Sequence, residues 1–260
     1  MNERAKLSVT LITFNEEKRV RAALESVKWA DEIVVIDSFS TDQTVAICRE
    51  YTAKVYQIAW RGYVEQKNIA TARAAHDWIL NIDADEVVSA ELAAEIQQTL
   101  AAPACVGYFM PRRTYYLGDW IRHCGWYPDA KLRLFDKRAG KWVGQALHEK
   151  AQVTGATAHL RRDLYHYTYE DITDHLNTIN NFTSIAASQK TGSVSGAGIL
   201  LRTVAAFLKK YLLKQGFRDG TRGVIVCLLS AFTVAVKYAK LWERQHVINK
   251  DLTQKAQETQ

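Results

Sequence analysis

Two hydrophobic periods take turns along the first hundred residues. Leu7, Val9 and Leu11 set against Ser8 and Thr10 give a period of two, which predicts a strand over 7–14. Asn15 follows as the N-cap of a helix over about 16–29, in which Val20, Ala23, Leu24 and Val27 recur at i, i+3, i+4 and i+7. Glu32 to Asp37 is nearly all apolar, as a strand covered on both faces should be. A polar turn at 38–42, a helix to about Tyr51, a strand over 54–58 and a helix over about 63–76 lead to a strand that starts at Trp78 and stops at Asp83. Ser89 caps a further helix to about Ala102. Strands alternating with helices predict an α/β fold wound on a mostly parallel sheet.

Beyond Val106 the pattern changes. Short strand-like runs (107–111, 131–135, 141–143 and 160–167) are set among aromatic loops, and a helix over about 170–190 follows. Residues 192–198, rich in Gly and Ser, predict a flexible joint that divides a domain over 1–191 from a segment over 199–260. In that segment Leu200, Leu201, Val204, Phe207, Leu208, Tyr211 and Leu212 form one apolar helical face, opposite Arg202, Lys209, Lys210 and Lys214. Gly216 and Gly220 interrupt it before a second apolar helix over about 224–242. The uncharged run of that helix, 223–236, is shorter than the roughly 20 residues a bilayer span needs, so amphipathic helices lying in a membrane interface are expected.

Composition and charge sharpen this picture. At 260 residues the chain can bury a large core, and its apolar and charged content is that of a folded protein. The net charge of +6 sits in one place: residues 198–250 hold ten Lys/Arg against two Asp/Glu, while residues 1–197 are nearly balanced. An anionic surface is therefore the expected partner, and with no RNA- or DNA-reading motif that surface is membrane rather than nucleic acid. Cys48, Cys105, Cys124 and Cys227 form no CxxC pair, which speaks for a reducing compartment and against a zinc site. No long apolar stretch of the signal-peptide kind opens the sequence.

The chemistry is expected at Asp83-Ala84-Asp85-Glu86. Ligands bind at the C-terminal lip of an open α/β sheet, and a strand ending there would present clustered carboxylates. Such carboxylates repel one another unless a cation sits between them, and hard oxygen donors suit Mg²⁺ or Mn²⁺ together with substrate phosphates. The alternative is a solvated turn with Glu86 starting a helix. On the same lip lie Thr13-Phe14-Asn15-Glu16 and Asp37-Ser38-Phe39-Ser40-Thr41-Asp42.

Those motifs, with Gln66-Lys67-Asn68, resemble in their order the inverting family 2 glycosyltransferases of the GT-A fold, over roughly residues 6–160. The resemblance implies a nucleotide-sugar site. Thr13, Asn15 and Glu16 would border the nucleoside, Asp37 would accept a hydrogen bond from the base, and Gln66 and Lys67 would lie near base or diphosphate. Asp85 would bind the metal, with His148 as a further contact, and Asp83 would serve the ribose or a metal-bound water. The base that deprotonates the acceptor hydroxyl would be Glu149 or Asp129; Glu149 is preferred, although the Glu-Asp pair common in the family is missing here. Arg133, Trp126 and Tyr127 are the acceptor-binding candidates, Arg133 being equally readable as a buried ion pair.

A narrower resemblance runs through residues 25–38, Arg133-Leu134-Phe135, His148-Glu149 and Gly216-Phe217-Arg218-Asp219-Gly220, to bacterial lipopolysaccharide-core glucosyltransferases. It implies UDP-glucose as donor and a lipid-anchored, heptose-containing acceptor, met by a peripheral protein on the inner face of the cytoplasmic membrane. The rivals are a transferase using another UDP-sugar or a polyprenyl-phosphate acceptor, and a non-catalytic nucleotide-sugar-binding scaffold.

Overall fold

Parallel pairing of four short strands, all but one of them fully buried, builds the first half of the sheet. In the computed structural model, which describes residues 4–144 and 149–248, β1 (Leu7–Thr13), β2 (Glu32–Asp37), β3 (Val55–Gln57) and β4 (Trp78–Asn81) lie parallel in the order β3-β2-β1-β4. Every residue of β1 and β2 is buried, so polar members need internal partners. Ser8 donates to Glu32, which also pairs with Lys54, and the Asn81 amide donates to Thr10 Oγ1 at 3.0 Å.

The sheet then turns antiparallel. β8 (Asp129–Asp136) pairs with β4, and β6 (Gly107–Tyr116) pairs with β8. β11 (Thr157–His159) and β12 (Leu164–His166) lie parallel to successive stretches of β6, and β5 (Glu86–Val88) closes the order against β12. β9 (Gly140–Val143) and β10 (Lys150–Val153) form a separate antiparallel hairpin. Helices α1 (Val20–Glu25), α2 (Thr44–Arg49) and α4 (Ala90–Ala101) bury Val20, Leu24, Cys48, Leu92 and Ile96 in the core on one face. On the other face α3 (Tyr63–Arg73) packs through Ala70 onto Ile12 and Ile36, and the hairpin packs through Trp142 and Ala151 onto Ile79 and Phe135.

Several local expectations are corrected. Asn15 is no N-cap: its φ is +54°, and the helix starts at Val20. Glu86 begins a strand, not a helix. β6 continues to Tyr116 through Pro111, which falls between the stretches of β6 paired to β11 and β12. A proline is tolerated there because that edge lacks a partner at its position. For the same reason 160–167 is not one strand: only Leu164–His166 returns to the sheet.

The backbone divides into two compact units, Met1–Thr114 with Pro128–Thr168, and Tyr115–Tyr127 with Tyr169–Gln260. The second contains β7 (Asp119–Trp120), hairpinned on the end of β6, and α5 (Ile172–Gln189), α6 (Gly196–Leu208) and α7 (Gly220–Glu243). The Gly-Ser stretch is only partly a connector, since Ser195 Oγ accepts from Gly198 N at 3.2 Å and α6 begins at Gly196. α6 continues into a π-helical turn, Lys209–Leu213, and Gln215 at φ +53° ends it. The apolar face splits. Phe207 and Tyr211 pack with Tyr116, Cys124 and Cys227, whereas Leu200, Leu201, Val204, Leu208 and Leu212 stand exposed. From Gly216 to Val247 the chain is helical for 32 residues with a mean hydropathy of 1.8 over its most apolar 18-residue window. By length and composition it could cross a membrane, which the 14-residue uncharged run alone did not suggest. At Gly223 a Cβ would lie 1.9 Å from the Gly216 carbonyl oxygen, so the two backbones touch where the helix turns in.

Candidate active site

Register brings the first two motifs together. Thr13 lies directly opposite Asp37 across β1 and β2, so the loops that follow leave the sheet side by side. Asn15 then bridges them: its N–H donates to Ser40 Oγ at 2.9 Å and its Oδ1 accepts from Thr41 N at 2.8 Å. Asn tolerates the left-handed backbone this requires. Glu16 N donates to Thr44 Oγ1 at 2.7 Å. Asp37 is fully buried and accepts from Thr13 Oγ1 (3.1 Å), Ser40 N (2.9 Å), the Ser40 hydroxyl and Gln57 Nε2 (3.4 Å). A carboxylate offers about four acceptor positions. A nucleobase reaching Asp37 would displace one partner, and the long Gln57 contact is the weakest.

Three successive residues of α3 fasten three other segments. Gln66 Nε2 donates to Ser38 Oγ at 3.0 Å, which holds the loop after β2. Lys67, 2% exposed, places Nζ 2.9 Å from Asp83 Oδ1, 3.5 Å from Glu149 Oε1 and 4.5 Å from the centre of the Trp142 ring. Asn68 brackets the backbone of Trp142, donating to its O at 3.0 Å and accepting from its N at 2.9 Å. The hairpin β9–β10, and Glu149 immediately before β10, are thereby pinned to α3.

The carboxylate turn closes on itself. Asp83 N donates to Glu86 Oε2 and Glu86 N to Asp83 O, each at 3.0 Å, leaving Ala84 and Asp85 at the tip. The carboxylates separate in role. Glu86 is fully buried against Arg133 (2.6 Å) and Arg112 (3.2 Å). Asp83 takes Lys67 on one oxygen and Arg133 on the other. Burial alone would raise its pKa, but the charges of Arg133 and Lys67 outweigh burial and hold the carboxyl well below its usual range. Burial works against the Arg133 charge too, and Asp83 and Glu86 overcome it and raise that pKa. Asp85 instead faces His166, whose Nε2 is 3.2 Å away and whose Nδ1 lies 3.4 Å from Thr114 Oγ1. The pairing of His166 with Glu86 between β12 and β5 fixes this approach.

Other expected residues have partners of their own. Arg133 is buried (4% exposed) in the carboxylate turn, which resolves its ambiguity in favour of the ion pair and away from acceptor contact. Asp129 pairs with Arg112 at 2.6 Å, directly opposite it in β6–β8, and with Lys131 at 3.0 Å. Burial raises its pKa, and Arg112 and Lys131 lower it further than burial raises it. Trp126 and Tyr127 belong to the second unit, where the Trp126 ring packs at a tilt against Tyr116, Tyr169 and His175. Burial pushes the His175 imidazole in that cluster down to about 4. His148 lies outside the described residues. Sequence reasoning missed His166. The one available signal was a histidine near the end of an expected strand, a position where a lip residue can stand.

Among the described residues no three His, Cys, Asp or Glu side chains converge as a metal cage. Asp85 and His166 offer one carboxylate oxygen donor and one imidazole nitrogen. That partial set fits a Mg²⁺ or Mn²⁺ ion whose other positions go to water and phosphate oxygens.

Residues 8–161 match the sequence pattern of the family described as "Glycosyl transferase family 2". The chain is 32% identical over 254 residues to an uncharacterized glycosyltransferase of Rickettsia typhi, covering 92% of this chain and 87% of that one. It is 28% identical over 254 residues to the lipopolysaccharide core biosynthesis glycosyltransferase LpsC of Rhizobium meliloti, with 92% of each covered. Among solved structures it is similar to S. aureus TarS 1–349 in complex with UDP-GlcNAc, at 15% identity and a TM-score of 0.48 over 92% of this chain and 91% of that one.

Asp83→Asn tests the carboxylate turn. It leaves Lys67 and Arg133 buried with one anion fewer. The expected loss of stability is at the low end of the about 3–5 kcal/mol for breaking a buried pair, because Glu86 stays with Arg133. The folded pKa of Asp83 is depressed, so its contribution is complete above the ordinary carboxylate value of 3.8 and disappears as pH falls toward the folded value. Urea titrations of both proteins should therefore differ by a constant amount from pH 6 to 8 and converge only below about pH 3.8. A difference that vanishes at neutral pH would contradict this assignment.

Proposed function

The chain belongs to glycosyl transferase family 2, and on that premise we propose that it transfers glucose from UDP-glucose, with inversion, to an inner-core heptose of lipopolysaccharide, with Mg²⁺ or Mn²⁺ as cofactor. The similarity to LpsC supports the substrate class, and the donor sugar and heptose rest on the sequence resemblance. The observation that carries the reading is the split of carboxylates at the sheet lip: Asp83 and Glu86 are committed to buried cations, and Asp85 is left at the tip with His166.

Asp85 and His166 would hold the divalent ion, which when bound neutralises charge on the departing diphosphate. The chain's own groups do the rest. The loops bridged by Asn15 form a preset wall for the nucleoside. Glu149 is proposed to accept the proton of the attacking hydroxyl, because a base must lie beside the nucleophile and be ionised before it. Lys67 Nζ, 3.5 Å from Oε1, holds the Glu149 carboxylate in place. Asp129 suits the role less, since its oxygens already receive Arg112 and Lys131.

The exposed apolar row of α6 supports a peripheral seat on the cytoplasmic face of an anionic membrane, where a lipid-anchored acceptor would be met. The full chain should sediment with phosphatidylglycerol-containing vesicles, and the exposed-site variant Leu201→Ser with Leu213→Ser should remain in the supernatant. Equal sedimentation of both would remove this surface from membrane binding.

Thermal shift with UDP tests the donor site. Mn²⁺ or Mg²⁺ should be needed for stabilisation, which reaches about 2.7 kcal/mol at a hundred times the dissociation constant. Asp85→Ala should lose the metal-dependent part; an unchanged response would sink the Asp85 assignment. In a transfer assay Glu149→Gln should lower turnover at least about 100-fold with UDP binding intact, the ordinary scale for losing a general base. Asp129→Asn should retain most activity. The reverse pattern would transfer the base role to Asp129.

A further inference from the structure

The turn into α3 carries two aromatic side chains with no assigned role. Trp60 is 50% exposed and Tyr63 is 38% exposed, and their rings meet edge to face with centroids 4.7 Å apart. Gly62 between them has φ +98°, a conformation that glycine adopts freely, so the chain reverses sharply and Tyr63 becomes the first residue of α3. Tyr63 therefore stands four residues before Lys67 and three before Gln66, on the same helical face. That face is the one aimed at Asp83 and Glu149. Burial, and then the negative charges of Glu149, Asp83, Asp85 and Glu16, hold the Tyr63 phenol above its ordinary pKa. A neutral phenol beside those carboxylates is a hydrogen-bond donor and acceptor at every physiological pH.

Two partly exposed rings, one of them a helical turn before Lys67, suit a saccharide. The C–H faces of a pyranose ring lie flat on an aromatic surface, and a phenol at its edge can bond a ring hydroxyl. Trp60 leaves half of its surface free for a ligand, and Tyr63, although partly covered, keeps more than a third. We propose that Trp60 and Tyr63 form the platform for the acceptor saccharide, Trp60 supplying the face and Tyr63 a hydroxyl contact. This rests on the transferase reading above. The platform is assigned to the acceptor rather than to the donor sugar because Tyr63 stands one helical turn before Lys67, which holds Glu149, the group that takes the proton of the attacking hydroxyl in the reading above.

The test is calorimetric titration of the full chain, with Mn²⁺ and UDP present, against the heptose-containing core oligosaccharide released from lipopolysaccharide, alongside a separate titration with UDP. Both positions are exposed. Trp60→Ala should weaken oligosaccharide binding about tenfold and Tyr63→Phe about threefold, with Trp60→Phe restoring most of the loss. UDP affinity should be equal in all four proteins. Equal oligosaccharide affinity across the set, or no binding of it by the wild type, overturns the platform. A loss of UDP affinity in Trp60→Ala also overturns it, by moving the rings to the donor. Failure of the wild type to bind UDP at all overturns the transferase reading instead.

Discussion

A lysine ammonium that is almost entirely buried organises the catalytic unit. A buried ammonium needs partners to replace water, and Lys67 finds Asp83 at 2.9 Å, Glu149 at 3.5 Å and the Trp142 ring at 4.5 Å. Each of these groups comes from a different segment: the turn after β4, the chain before β10, and β9. Satisfying one side chain therefore fixes where all three segments lie against α3. Gln66 and Asn68 on either side repeat the device with hydrogen bonds, so a three-residue motif becomes the joint on which the site is assembled.

From Lys67 the charges alternate outward: Asp83, Arg133, Glu86, Arg112, Asp129 and Lys131. The ladder is buried at Lys67, Arg133 and Glu86 and partly exposed at its outer members, and it adds little net stability, because desolvation offsets most of the attraction at the buried end and solvent screens the other. Its consequence is positional. It holds the acidic turn rigid in a closed conformation and uses up Asp83, Glu86 and Asp129 as counter-ions. Of the three carboxylates in Asp83-Ala84-Asp85-Glu86, Asp85 alone stays outside the ladder, next to the imidazole of His166. The sequence shows equivalent carboxylates; the arginines brought in by β6 and β8 make them unequal.

That contrast shows what is legible before a fold is known. The strand–helix alternation of residues 7–101 and the D-x-D turn are local patterns, and they appear at their expected places with shortened ends. Ser89 caps its helix as its neighbours predict, with Oγ accepting from Leu92 N at 3.1 Å. Asn15 reads locally as a cap, but its side chain answers to Ser40 and Thr41, which only the β1–β2 register brings near. Arg133 and His166 fail for the same reason. Each is defined by a partner about fifty or more residues away, across antiparallel strands that no short-range period announces. The family motifs reached further than periodicity did, because a motif stores the outcome of contacts it does not display.

The second unit raises a question of charge against apolar surface. Its net positive charge is conspicuous in sequence, yet several of those cations are engaged internally. Lys210 donates to Cys124 O at 3.1 Å, Arg222 to Leu117 O at 2.8 Å, and Lys240 to Asn180 O at 2.7 Å. Arg244 donates to Ser188 O at the last turn of α5, where the helix dipole favours a cation. These groups shape the helical packing and contribute less to a long-range field than their number implies. The leucines point the other way: Leu200, Leu201 and Leu213 are each more than 60% exposed, and no described segment covers them. Apolar burial is insensitive to salt while exposed charge is screened within about 8 Å at physiological ionic strength. On the membrane reading proposed above, attachment would accordingly be dominated by the leucine surface, with the cations selecting an anionic leaflet and part of the binding left intact at high salt.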